Sequence, residues 1–380
     1  MIQTPSYTQI AISAIAKKLD DNHPEIRAKA AESLGNIGHE TAIPGLLKAL
    51  EDSDGFVRMK AAEALGNIGS ETAIAGLLKA LEDSYFEVRM SAAEALGKIG
   101  SETAIAGLLK ALEHSNSDVR VYAAFALGKI GSETAIAGLL KALEDSNSDV
   151  RVYAAEALGK IGSETATAGL LKALEDSDGY VRGNAAFALG NISSETAIAG
   201  LLNALEHSDS NVRGNAAEAL RKIGSEAAIS GLLKALYHSD KDVRINAVEA
   251  LGNIGIEAAI SGLVKALDDS DEYVRRNAAY ALAKIGSEAA IPGLVKALKD
   301  FDEDVLSNAV EALGNIGSEV VIPELVKALE HSDWDVRSNA AYALGKIVSE
   351  AAIPELVKAV EHADWYVRSN AAYALGNIGS

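Results

Sequence analysis

The sequence predicts an all-α fold, a solenoid of about twelve stacked 31-residue helical hairpins. Three observations predict it: an arginine that returns at a fixed interval, apolar stripes of helical period on either side of it, and polar or glycine punctuation between the stripes. The arginine, usually in a Val-Arg pair, stands at Arg27, Arg58, Arg89, Arg120, Arg151, Arg182, Arg213, Arg244, Arg275, Arg337 and Arg368. Every interval equals the one from Arg27 to Arg58, apart from one doubled gap, where Leu306 takes the place of a twelfth arginine. Self-similarity at a fixed period of about 20–50 residues is the signature of stacked repeats.

Residues 101–131 show why one unit folds as two helices. Ile105, Leu108, Leu109 and Leu112 lie at i, i+3, i+4 and i+7, one face of a first helix. Val119, Ala123, Ala126, Leu127 and Ile130 give a second helix its own stripe. The polar turn His114-Ser115-Asn116-Ser117 separates them, with Asn116 at the N-cap. Ten of the twelve repeats place Asp or Asn there, His23 and Tyr85 being the exceptions. Gly131 suits the left-handed residue that ends the second helix, and Ser101 can cap the next first helix. Pro44, Pro292, Pro323 and Pro354 share a register near the start of the first helix, so the Ser-Glu-Thr-Ala-Ile stretch before them reads as a lead-in turn. In the first repeat, Ile10, Ile12, Ile15 and Leu19 supply the first helix. A single hairpin cannot bury both stripes, so neighbours must stack. No linker or composition break interrupts the array, and residues 1–380 are expected to form one repeat domain.

Composition narrows the function. The chain is 48% apolar but 5% aromatic, which suits many thin helix–helix contacts. Without cysteine there are no disulfides, zinc-thiolate sites or cysteine nucleophiles. A net charge of −19 argues against a nucleic-acid backbone as partner. No apolar run reaches the roughly 18 residues needed to span a membrane, and the first ten residues lack the basic flank of a signal peptide. Cytoplasmic residence is expected. No glycine-rich phosphate loop or catalytic constellation appears, so neither enzyme activity, metal nor cofactor is expected.

In its DSDVRxxAAxALGxIGSETAIxGLLKALED pattern the chain resembles the HEAT-like repeats of the phycobilisome-lyase type, over essentially its whole length. The resemblance implies a right-handed α-solenoid whose second helices line a concave surface. The near-identical first helices fit tandem duplication or consensus-based design, while Leu306, Arg221, Ser193 and Val348 look like natural drift. Deoxyhypusine hydroxylases are similar, but carry His-Glu pairs directly after the Val-Arg pair. Here those places read Met59-Lys60, Val121-Tyr122, Gly183-Asn184 and Ser338-Asn339, which rules that activity out. Bilin lyase subunits are similar too. No motif residue carries their chemistry over, and a bilin lyase-like subunit or chromophore chaperone stays as the alternative. A second alternative is a sensor or structural segment of a larger protein, suggested by a C-terminal repeat that reads like an internal one. That end could also self-associate.

Eleven of the thirteen arginines fall in one column. Each lies early in a helix, where the macrodipole disfavours a cation, so a carboxylate partner is required. The N-cap Asp of the same or the adjacent repeat is the expected one, making Arg58, Arg89, Arg120, Arg151, Arg182, Arg213, Arg244, Arg275, Arg337 and Arg368 a structural ladder with a weak point at Leu306. His114, His207, His238, His331 and His362 share one turn position and read as solvated turn residues; one rung apart, they cannot share a metal ion.

Function should lie in what the repeats do not share. Fourteen of the 18 aromatics fall at four variable second-helix positions, where random placement would put about two. The expected partner-facing set is Tyr122, Phe125, Tyr153, Tyr180, Phe187, Tyr273, Tyr280, Trp334, Tyr342, Trp365, Tyr366 and Tyr373, joined by Asn184, Asn277, Asn308, Asn339 and Asn370. These asparagines, with Asn215 and Asn246, hold one position in seven consecutive repeats. An amide can pair with a peptide backbone in either direction, or it can bond the next rung and be structural. Armadillo repeats hold extended peptides with similar Trp and Asn ladders, although Trp334 and Trp365 here stand five residues before their Asn. The expected function is a protein–protein scaffold holding an extended, neutral-to-basic peptide or tail along repeats six to twelve. Glu272, Glu303, Asp304 and Asp335 favour that sign of charge.

Overall fold

The computed structural model describes residues 7–347 and 349–378; the first six residues, Val348 and the last two residues lie outside them. Among the described residues the chain forms 24 α-helices and no strand. It is the α-solenoid that the repeat period predicts. Helix contacts divide it into two compact units, Met1–Ala197 and Ile198–Ser380.

In the first unit the second helices Pro24–Ile37, Gly55–Ile68, Phe86–Ile99, Ser117–Ile130, Ser148–Ile161 and Gly179–Ile192 pack each against the next. In the second unit Ser210–Ile223, Lys241–Ile254, Glu272–Ile285, Glu303–Ile316, Trp334–Ile347 and Trp365–Ile378 do the same. Close approach depends on glycine. A Cβ at Gly128 would lie 2.8 Å from the Cα of Ala157 on the next second helix, and one at Gly345 would lie 2.5 Å from the Ala374 Cβ. First helices interlock differently: Gly76 leaves the notch that Leu47 of the preceding repeat fills.

The helix ends follow the capping residues. Asp54 accepts from the Phe56 and Val57 N–H groups, and Asn147 from Val150, whereas His23 and Tyr85 supply no side-chain cap. Nine glycines close second helices at positive φ, and Ser193 does so at φ 53°, donating its hydroxyl to the Gly190 carbonyl at 2.7 Å. Most of the Glu-Thr-Ala or Glu-Ala-Ala lead-ins wind as a 3₁₀ turn, as at Glu133–Ala135. In Glu102–Ala111, Glu195–Ala204 and Glu226–Ala235 the α-helix starts at the Glu itself.

The arginine column does two jobs. All eleven donate Nη1 to carbonyls of the turn just before them, as Arg120 does to His114 (2.9 Å) and Ser115 (3.1 Å). Six then reach into the next repeat with Nε and Nη2. Arg27, Arg58, Arg120, Arg151, Arg244 and Arg275 fork onto Asp52, Asp83, Asp145, Asp176, Asp269 and Asp300 at 2.6–2.9 Å. The expected N-cap partner is therefore corrected for these six. Their acid stands in the turn of the next repeat, two places before its N-cap, because the turn delivers that carboxylate to the planar fork. Asp52 also accepts the Asp54 backbone N–H at 2.9 Å. Arg337 does reach an N-cap acid, Asp364, at 2.9 Å.

Histidine explains the remaining joints. After Arg89, Arg182, Arg213 and Arg337 the place of that acid is taken by His114, His207, His238 and His362. These four arginines have a buried Nε with no hydrogen-bond partner among the described residues. In each such turn His Nδ1 accepts the N–H two residues on, as from Asn116 to His114 at 3.1 Å. The neutral ring then carries its proton on Nε2 and offers the guanidinium no lone pair. Arg89 and Arg213 turn Nη2 to Asp118 and Asp242 instead. The same reasoning revises the weak point at Leu306. The acid's place in the repeat after it holds His331, so no carboxylate is stranded, and Leu306 itself is buried.

Candidate partner-binding face

The second helices expose the rings that the sequence singles out, with graded burial. Tyr180, Phe187, Tyr273, Tyr280, Trp334, Tyr342, Trp365, Tyr366 and Tyr373 are exposed. Phe125 and Tyr153 are half-buried and meet edge-on at 6.0 Å across adjacent repeats. Tyr122 departs from the expected partner-facing role. It is only 8% exposed, edge-on to Phe86, with the Arg89 guanidinium 5.6 Å from its ring centre. A ring at this position, which later repeats give to asparagine, fills the gap between two second helices.

The asparagines are half-buried and their amide nitrogens are engaged. Asn184 and Asn277 donate to the carbonyls of Tyr180 and Tyr273 on their own helices, each at 2.9 Å. Asn308 donates to the Arg276 carbonyl, Asn339 to the Ser307 hydroxyl, and Asn370 to the Ser338 carbonyl and hydroxyl, all on the preceding second helix. Of the two uses open to this column, the rung-to-rung bond is the one these three nitrogens make.

Many rings of this face are covered by a cation of the chain itself. Lys60 lies over Phe56, Lys129 and Lys160 over Phe125, Lys284 over Tyr280, and Lys346 over Tyr342, at 5.2–5.8 Å. Arg276 lies 5.2 Å from the Tyr273 ring centre and also forks onto Asp302 and reaches Asp304. Each such pairing favours one orientation of the ring.

Toward the last repeats the face becomes aromatic and acidic. Trp334 lies 5.4 Å from Tyr366 of the next repeat, Trp365 lies 3.7 Å from Tyr366, and Tyr342 stacks on Tyr373 at 6.5 Å with planes 11° apart. Beside them stand Asp304 and Asp335, both exposed, and the half-buried Asp333. Local desolvation and the charges of Asp333 and Asp304 hold the Asp335 carboxyl above the usual aspartate range. Sequence pattern marks Asp304 and Asp335 alike as acidic groove residues. Only the path of Arg276 separates them, because it reaches Asp304 and leaves Asp335 without an ion pair among the described residues.

Among the described residues no group of three or more His, Asp or Glu side chains could hold a metal ion. No described helix is long and apolar enough to cross a membrane. The profile for HEAT repeats matches residues 12–97, 72–113, 105–179, 167–239, 229–306 and 291–376. The chain belongs to the HEAT-repeat family. No match to it is found among the curated proteins. Solved HEAT solenoids share its fold: Kap121p bound to Pho4p superposes with a TM-score of 0.66 at 14% identity, over 98% of this chain and 49% of that one. Kap95p with RanGDP gives 0.57 at 15% identity, over 99% and 65%. This HEAT-repeat chain thus spans about half the length of Kap121p.

Proposed function

We propose that the chain is a non-catalytic protein–protein interaction scaffold, which holds an extended, neutral-to-basic segment of a partner against the second helices of repeats nine to twelve. The observation that carries this is the set of exposed rings Tyr273, Tyr280, Trp334, Tyr342, Trp365, Tyr366 and Tyr373 on the second helices of repeats nine, eleven and twelve. Exposed aromatics on a stiff surface are the usual anchors of binding interfaces, because a ring offers large contact area with few rotatable bonds. The acids between them set the sign of the partner. The fold supports the reading, since Kap121p with Pho4p is a solenoid of this kind engaged with a protein. The narrower phycobilisome-lyase likeness rests on the repeat's sequence pattern, and no residue of this face adds to it.

The test is capture of partner proteins from the source cell by the wild-type chain and by the triple variant Tyr280→Ala, Tyr342→Ala, Tyr373→Ala. All three rings are exposed, so the variant keeps its helical circular dichroism while losing the captured partner. Equal capture by both proteins removes these rings from the interface and overturns the assignment.

A further inference from the structure

The proposed scaffold leaves open which part of a partner is read where, and the eleventh and twelfth repeats answer that. Several rings elsewhere on the second helices are paired with cations the chain supplies, among them Phe56 with Lys60, Tyr280 with Lys284 and Tyr342 with Lys346. Trp334, Trp365 and Tyr366 are not so paired, and they stand together as one cluster of rings. Among the described residues no lysine or arginine lies over any of the three, although they are 47%, 58% and 43% exposed and gathered within 5.4 Å of one another through Tyr366. The acids follow the same division. Asp302 and Asp304 are matched by Arg276 and Asp364 by Arg337, whereas Asp335, next to Trp334, forms no ion pair among the described residues. Its carboxyl is held above the ordinary range by desolvation, Asp333 and Asp304, as expected of an acid among acids.

We propose that Trp334, Trp365, Tyr366 and Asp335 form a subsite for one lysine or arginine side chain of an extended partner segment. The occupant follows from charge and ring chemistry together. Ring faces attract a cation, best on tryptophan, and an adjacent unmatched carboxylate adds a charge-assisted hydrogen bond. An acidic or phosphorylated segment would meet Asp304, Asp333 and Asp335 with like charge, and a nucleic acid would meet the same repulsion. An apolar side chain would cover the rings but leave Asp335 unmatched. The subsite rests on the scaffold reading and sharpens it, placing the basic residue against repeats eleven and twelve.

Trp334 and Trp365 are the chain's two tryptophans, so intrinsic tryptophan fluorescence of the full chain reports on this place alone. Three capped twelve-residue probes of Gly and Ser are titrated at low salt, carrying two lysines, two glutamines or two glutamates. The lysine probe should shift the emission saturably and weaken as salt rises. Trp365→Ala should weaken it about tenfold, and Asp335→Asn about threefold to tenfold. Both substitutions are on exposed side chains, and unchanged circular dichroism confirms folding. No shift with the lysine probe, an equal shift with the glutamine probe, or Asp335→Asn binding as tightly as wild type would each overturn the subsite. Those outcomes leave the scaffold reading separately answerable by the tyrosine triple variant, which spares all four subsite residues.

Discussion

Thr167 shows how much one side chain decides in a thin core. It is 2% exposed, and its hydroxyl has no hydrogen-bond partner among the described residues. Equivalent places in neighbouring repeats hold Ile105, Ile136 and Ile198, all buried. A buried hydroxyl left unmade costs about 1–3 kcal/mol, and isoleucine adds a methylene group where its neighbours already have one. Thr167→Ile should therefore raise the stability of the first unit by about 1–2 kcal/mol, read as a higher urea midpoint with an unchanged slope. An unchanged or lower midpoint would show that the site is too tight for the extra group. Ser193 is a milder exception, because its hydroxyl bond to Gly190 offsets part of the strain of a left-handed serine.

Apart from the joint at Leu306, each joint between repeats is a single arginine meeting either Asp or His, and this is the element scale at which stability should vary. Where Asp stands, the fork closes; where His stands, one buried nitrogen is orphaned. His238→Asp should let Arg213 close the fork that Arg244 makes on Asp269, since the aspartate can also accept the Asp240 N–H that His238 now accepts. A gain of about 1 kcal/mol in urea unfolding is expected, and it should vanish when Arg213 is replaced by Ala as well. A gain that survives without the arginine would assign the effect to the turn alone. The period, the caps and the closing glycines were legible in sequence because each is a local demand of the backbone. The acid that an arginine meets was not, because it depends on the path of a turn in the next repeat. Tyr122 and Asn339 occupy the same repeat position, so sequence could not separate a ring that fills a gap from an amide that bonds the next rung; packing between helices separates them. The exposed rings were legible as a set, since their positions lie off the apolar stripe.

At the scale of the whole molecule the joints share one titration. For Asp52, Asp83, Asp145, Asp176 and Asp300, burial pushes the carboxyl up, but the arginine fork and the backbone N–H outweigh it and leave each below the usual aspartate value of 3.8. A carboxyl lowered in the folded state adds stability that is fully present above its unfolded value and is lost as pH falls through the folded one. These five acids belong to five different joints, so their losses accumulate below about pH 4. Asp335 works in the opposite direction, being raised, and its protonation slightly favours the fold as pH falls. The double variant Asp83→Asn, Asp145→Asn tests the balance. At pH 7 it should be less stable than wild type by about 2 kcal/mol in total, because Arg58 and Arg120 then face an uncharged amide. At pH 2.5, where the wild-type carboxyls are largely protonated too, urea midpoints of the two proteins should converge. A difference that stays constant between the two pH values would mean that shape, and not charge, makes the joint.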